Sequence, residues 1–197
     1  RTIFWADRRT EFFGTVRARG GRLFGNGGFV EVSGKEELYF DGSVDTTAAN
    51  GKSGTLLLDP DNITVQSGSG TASASGASSF TTYQNVLEAV SSTTNIDLVA
   101  TESIALNNSL SFAQTSGQSV TFTATTGNIT QSSSDTITTS GGNIIMAANQ
   151  NLTIGTLNTS GGDITLTGAG VNLSGSLNAG VGVVTIKGVS GGTIGLD

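Results

Sequence analysis

Cysteine and histidine are both absent from the 197 residues. Without cysteine there is no disulfide framework and no thiolate metal site. Without histidine the commonest general base and the commonest metal ligand are missing. Charge is scarce: 12% of residues are charged, about half the usual share, so the polar surface must come from Ser, Thr, Asn and Gln. Proline occurs once, and no apolar run approaches the roughly 18 residues of a membrane-spanning helix. The excess charge is acidic, −6 overall, which speaks against nucleic acid as a partner. Low charge with 36% apolar residues also sets the chain apart from disordered sequences.

Glycine is abundant, at 29 residues, and part of it sits in a repeat. The run from Thr139 to Met146, TSGGNIIM, returns as TSGGDITL from Thr159 to Leu166, 20 residues later. Its apolar pair Ile144/Met146 continues as Ile164/Leu166 and Val184/Ile186 at the same step, and runs backwards through Val120/Phe122 and Ile96/Leu98 at steps of 24. A second set of positions reads Ile104/Leu106, Ile129, Leu152/Ile154 and Val171/Leu173. A third reads Leu110/Phe112, Ile137, Leu157 and Leu177. Short alternating runs at a fixed period of this size mark a solenoid. Three short strands per coil predict an all-β fold, a parallel β-helix, with Ile144 and Met146 inside and Asn143 and Ile145 outside.

The first third repeats with longer coils. Val16 and Val44 are 28 residues apart, and the run starting at Phe29 leads 26 residues on to Thr55. Strands are expected near 3–6, 12–17, 28–33, 37–45, 55–58 and 62–66, with Gly20-Gly21, the run Gly25 to Gly28, and Asn50-Gly51 at tight corners. Eight of the nine bases and eight of the twelve aromatics lie in the first 52 residues. Most of these aromatics are expected to fill the core of wider coils. Residues 67–79 are a Ser/Gly/Ala tract. It leads into a short helix of about two turns on Tyr83, Val86, Leu87 and Val90, with Thr81 or Thr82 as its cap. The chain thus divides into wide aromatic-rich coils (1–66), a loop-and-helix insertion (67–92) and regular coils (93–197) of one continuous solenoid.

No catalytic set emerges. Gly188-Val-Ser190-Gly-Gly192 has the form of a nucleophile elbow, but no histidine completes a triad. Gly51-Lys52-Ser53 lacks the glycine that a phosphate loop requires at position 46, and Gly161-Gly162-Asp163 is a lone fragment of a calcium β-roll repeat. Asp59-Pro60-Asp61-Asn62 reads as a turn. Between 103 and 187 the only charges are Asp135, Asp163 and Lys187, too few for the facing carboxylates of a glycosidase. The expectation is a non-enzyme with no cofactor and no metal. The residues left for surface binding are Trp5, Arg17, Arg19 and Tyr39.

Phe4-Trp5-Ala6-Asp7, the run from Phe13 to Gly21, the run from Gly25 to Lys35, and Leu56 to Val65 (LLLDPDNITV) together resemble the filamentous haemagglutinin-type exoproteins of bacterial two-partner secretion. The resemblance covers about residues 2–110, and the chain begins without Met, as an internal piece of a longer protein is expected to. It implies a long, right-handed β-helix, secreted through an outer-membrane transporter that acts on the parent protein and displayed on the bacterial surface. The implied function is a structural shaft segment of a large adhesin. Its partner would be a host or neighbouring-cell surface or matrix, glycan or protein. Two alternatives remain open: an extracellular fibre or matrix protein that self-associates end to end, and a carbohydrate-binding β-helix using Trp5, Tyr39 and nearby Arg or Glu.

Overall fold

The computed structural model describes residues 1–34, 36–68 and 79–196. They form a β-solenoid of about seven coils in which every strand pairing within the stack is parallel. At the ordinary strand spacing such a stack is roughly 35 Å long. The first side is built from Thr2–Ala6, Phe29–Gly34, Thr55–Leu58, Asn95–Ala100, Ser119–Ala124, Asn143–Ala148 and the first halves of Ile164–Leu173 and Val184–Leu196. The second side runs from Arg9–Phe12 and Glu37–Phe40 to Asn151–Ile154 and the later halves of the same two long strands. The third side carries Thr15–Arg17 and Ser43–Asp45, then Leu110–Thr115, Thr136–Ser140, Thr156–Asn158 and Leu177–Asn178.

The repeat columns are the pairing register. Ile96, Val120, Ile144, Ile164 and Val184 stand opposite one another coil after coil, as do Leu98, Phe122, Met146, Leu166 and Ile186. The period-2 alternation sends these side chains inward: Ile96 to Ile164 and Leu98 to Leu166 are fully buried, and Asn143 and Ile145 face outward. Val16 opposes Val44, and Phe29 opposes Thr55, so the wide coils stack at the expected steps. Polar side chains fasten the corners. The Asn95 Oδ1 accepts from the Ser119 N–H at 2.9 Å, Asn143 Oδ1 from Asp163 N–H at 2.8 Å, and Asp163 Oδ1 from Val183 N–H at 2.8 Å.

The expected strands 12–17 and 37–45 are each broken by a corner, giving Arg9–Phe12 with Thr15–Arg17, and Glu37–Phe40 with Ser43–Asp45. The Phe12 ring occupies the space that a side chain at Gly42 would need, so the chain turns there onto the third side.

The insertion differs from a plain loop and helix. Residues 69–78 of the expected loop lie outside the described residues. Ser79–Tyr83 is then a strand, spliced into the second side between Glu37–Phe40 and Asn62–Gln66. Phe80 enters the core opposite Ile63, and Thr82 is fully buried. Thr81 and Thr82 are therefore strand residues and not helix caps. The helix is one short turn, Gln84–Glu88, with Tyr83 at its N-cap position and no side-chain cap bond. A helix of this length survives only by packing. Val86 and Leu87, with Val90 just beyond, are buried, and Glu88 Oε1 accepts from the Ser111 N–H at 2.7 Å. The helix packs on Leu110–Thr115, so it fills a strand's place on the third side.

The N-terminal aromatics also divide differently from expectation. Phe12 and Phe40 are buried and stacked, with ring centroids 5.7 Å apart, and Phe4 packs against them. Trp5, Phe13 and Phe24 are instead exposed. Alternation explains Trp5, which lies on the outer face of its strand beside inward Phe4. Phe13 sits at a corner, and Phe24 belongs to the feature described next.

Candidate functional site

The difference between a 28-residue and a 20-residue coil is an arm. In the first coil, residues 18–28 leave the third side and return, closed by the Gly28 N–H donating to Ala18 O at 2.6 Å. In the second coil, residues 46–54 do the same, closed by Gly54 N–H to Thr46 O at 3.0 Å. The arms lie on each other. Ala18 N–H donates to Asp45 O, Gly20 N–H to Thr47 O, and Gly27 N–H to Lys52 O, at 2.8–2.9 Å. Asn26 Oδ1 accepts from the Lys52 N–H at 2.9 Å, and Asn50 Nδ2 donates to Arg22 O at 3.1 Å.

Such close stacking dictates the glycines. A Cβ at Gly27 would fall on Thr46 O, and one at Gly54 on Gly28 O. The second arm is tied to the next coil through buried Thr46 and Thr94, whose hydroxyls are 3.0 Å apart, and through Thr47 and Thr93 at 2.6 Å.

The arms carry Arg19, Arg22 and Lys52, and Arg17 stands at their base. Arg19 Nε donates to Asp45 Oδ2 at 2.6 Å, and this guanidinium holds the Asp45 carboxyl down at about 2. Arg17, Arg22 and Lys52 make no ion pair among the described residues. Arg19, Gly20, Arg22, Thr47 and Ala49 line a cleft of about 450 Å³. Beside it Leu23 is 77% exposed and Phe24 80%.

The four residues expected to bind at the surface do not converge. Arg17 and Arg19 stand together at the base of the arms. Tyr39 lies on the second side with its ring under Arg9, whose Cζ is 4.5 Å from the ring centroid. That guanidinium also meets Glu37 at 3.7 Å and pairs with Glu11, so the Tyr39 face is already covered. Trp5 is on the first side. Leu23, Phe24, Arg22 and Lys52 were not singled out from sequence. Their signal is the surplus of eight residues in the early period together with glycine pairs on both flanks of a Leu-Phe dipeptide.

Two acids on the first side are perturbed. Burial pushes the Asp59 carboxyl up, helped by Glu31 and Asp61. Burial also raises Asp97, partly offset by a hydrogen bond with Thr121. Neither belongs to a group of three or more metal-binding side chains among the described residues. Asp135 and Asp163 in the regular coils both accept hydrogen bonds from neighbouring coils, from Ser109 Oγ at 3.4 Å and the Val183 N–H.

No family model, no curated protein and no solved structure matches this chain.

Proposed function

We propose that the chain is a shaft segment of a large, secreted bacterial surface adhesin, holding a binding region away from the cell rather than performing chemistry. The observation that carries this reading is the unbroken core: two inward columns run from Val30 and Val32 in the second coil to Ile164 and Leu166 in the seventh, interrupted on the first side by no cavity-lining polar residue. Each coil contacts its neighbours through parallel ladders, which suits an element that transmits length and load. Asp135 and Asp163 are engaged in holding coils together, which supports a structural role for them. The resemblance of the first half to two-partner secretion exoproteins supplies the secreted, surface-displayed setting and the transporter partner.

Immunogold labelling of intact source cells with antibody against residues 93–196 tests this. Label along surface fibres, behind their tips, is the expected pattern; label confined to the cytoplasm contradicts it.

End-to-end self-association is the second reading. Val181, Val183, Val184 and Ile194 are exposed on the last coil, and Ile3 and Trp5 on the first, and unpaired edges invite pairing. The taper weighs against a seamless fibre of this chain alone, because a coil bearing an arm would meet one without. Sedimentation velocity over a concentration series separates the two: filaments favour the fibre, and a constant monomer mass favours the shaft.

A further inference from the structure

The arms end in an apex that a shaft does not need. Leu23 and Phe24 are adjacent, apolar and among the most exposed large hydrophobics of the described residues. Cations lie on the arms and at their base. Residues 15–28 and 43–54 contain Arg17, Arg19, Arg22 and Lys52 against the single acid Asp45, a net +3. The whole chain carries −6, so the remainder carries −9. A positive apex therefore projects from a negative body, and at physiological salt the distant acids are screened beyond about 8 Å. The inter-arm hydrogen bonds and glycine contacts hold the apex in place before any partner arrives, which lowers the ordering cost of binding.

We propose that this apex docks on an anionic lipid bilayer. Leu23 and Phe24 enter the boundary between headgroups and acyl chains, and Arg22 and Lys52 stay at headgroup level against lipid phosphates. Apolar groups that stand out to solvent with unpaired cations beside them match the two terms of interfacial binding, buried apolar area and attraction to anionic lipid. Of the two aromatics the sequence offers for a glycan, Tyr39 lies under Arg9 and Trp5 stands on the first side, apart from the arms. The inference stands on the arms alone and holds whether or not the chain is a shaft.

The test is co-sedimentation of the chain with vesicles of phosphatidylcholine, with and without phosphatidylglycerol. Binding is expected only with phosphatidylglycerol, and is weakened by salt. Leu23→Ser and Phe24→Ser should each weaken it by about tenfold, and Arg22→Gln and Lys52→Gln by about fivefold each. In a Trp5→Phe background, Phe24→Trp should shift its emission to the blue on vesicles and be quenched by brominated acyl chains. Circular dichroism confirms that each variant remains folded. Absence of binding to phosphatidylglycerol vesicles overturns the proposal. So does binding that survives both serine variants, unshifted emission of the Phe24→Trp protein, or equal binding to soluble dextran sulfate regardless of Leu23 and Phe24, which would mark a general polyanion surface.

Discussion

Replacing Gly162 by alanine tests whether glycine at the coil corner is a demand of stacking. A Cβ there would overlap the carbonyl oxygen of Gly142 in the coil before it and crowd that of Gly141. The same relation recurs one coil on, where a Cβ at Gly182 would meet Gly162 O, so the T-S-G-G repeat places glycine under glycine. Relieving the overlap requires the coils to part locally by on the order of 1 Å, with overpacking costs of about 1–3 kcal/mol. Two bonds beside the corner would stretch, Asp163 N–H to Asn143 Oδ1 at 2.8 Å and Ile144 N–H to Asp163 O at 2.9 Å, at about 1 kcal/mol each. Removing a glycine stiffens the unfolded chain and returns about 0.4–1 kcal/mol. The expected net loss is about 2–5 kcal/mol. Urea unfolding at constant m-value measures it. Gly117→Ala is the control: its φ is +87° but nothing lies within 4 Å of an added Cβ, so the left-handed backbone cost of about 1–2 kcal/mol is its folded-state cost, offset by the same stiffening of the unfolded chain. A Gly162→Ala loss equal to or below the Gly117→Ala loss would refute the stacking argument.

Phe122→Ala removes a fully buried ring that meets Phe112 edge-on at 6.2 Å, and should cost about 3–5 kcal/mol by denaturant titration. Asp59 and Asp97 have folded-state carboxyls raised above the ordinary 3.8, so the folded state binds their protons more tightly. Their contribution is favourable below that value and lost as pH rises above it. Stability should therefore climb as pH falls from neutrality toward 4, and Asp97→Asn should flatten the climb in a thermal melt series. Asp45 has the opposite sign: held at about 2, it stabilises above 3.8 and loses that contribution as pH falls through 2, a loss that Asp45→Asn should abolish.

The regular coils are legible in sequence because two short-range rules coincide in them. Period-2 alternation assigns Ile144 and Met146 to the inside, and a constant step of 20 carries the assignment to Ile164 and Leu166. Phe80 escapes because Ser79–Tyr83 has no partner at a repeat distance: its neighbours come from 17 residues earlier, at Asn62, and from Glu37. Composition before it reads as a loop, and nothing local marks a strand that enters out of order. The helix is recognisable from Val86, Leu87 and Val90, but its start is set by that strand rather than by Thr81 or Thr82. In the arms, glycine pairs betray turns, while stacking of one arm on the other depends on backbone pairing between residues far apart in the chain, such as Gly20 with Thr47 and Gly27 with Lys52. Exposure of Trp5, Phe13 and Phe24 is likewise a matter of which face or arm each lands on.

The most direct test of coil-in-register stacking is a pair of deletions within one strand. Removing residues 146–165 joins Ile145 to Leu166 and excises one whole 20-residue period, since Met146 stands opposite Leu166. Removing residues 146–164 instead joins Ile145 to Thr165 and turns Leu166 to the outside. In urea unfolding the first deletion should keep a cooperative transition near the parent midpoint, and the second should shift it far downward or abolish it. Equal midpoints for the two deletions would contradict a solenoid whose stability rests on in-register columns.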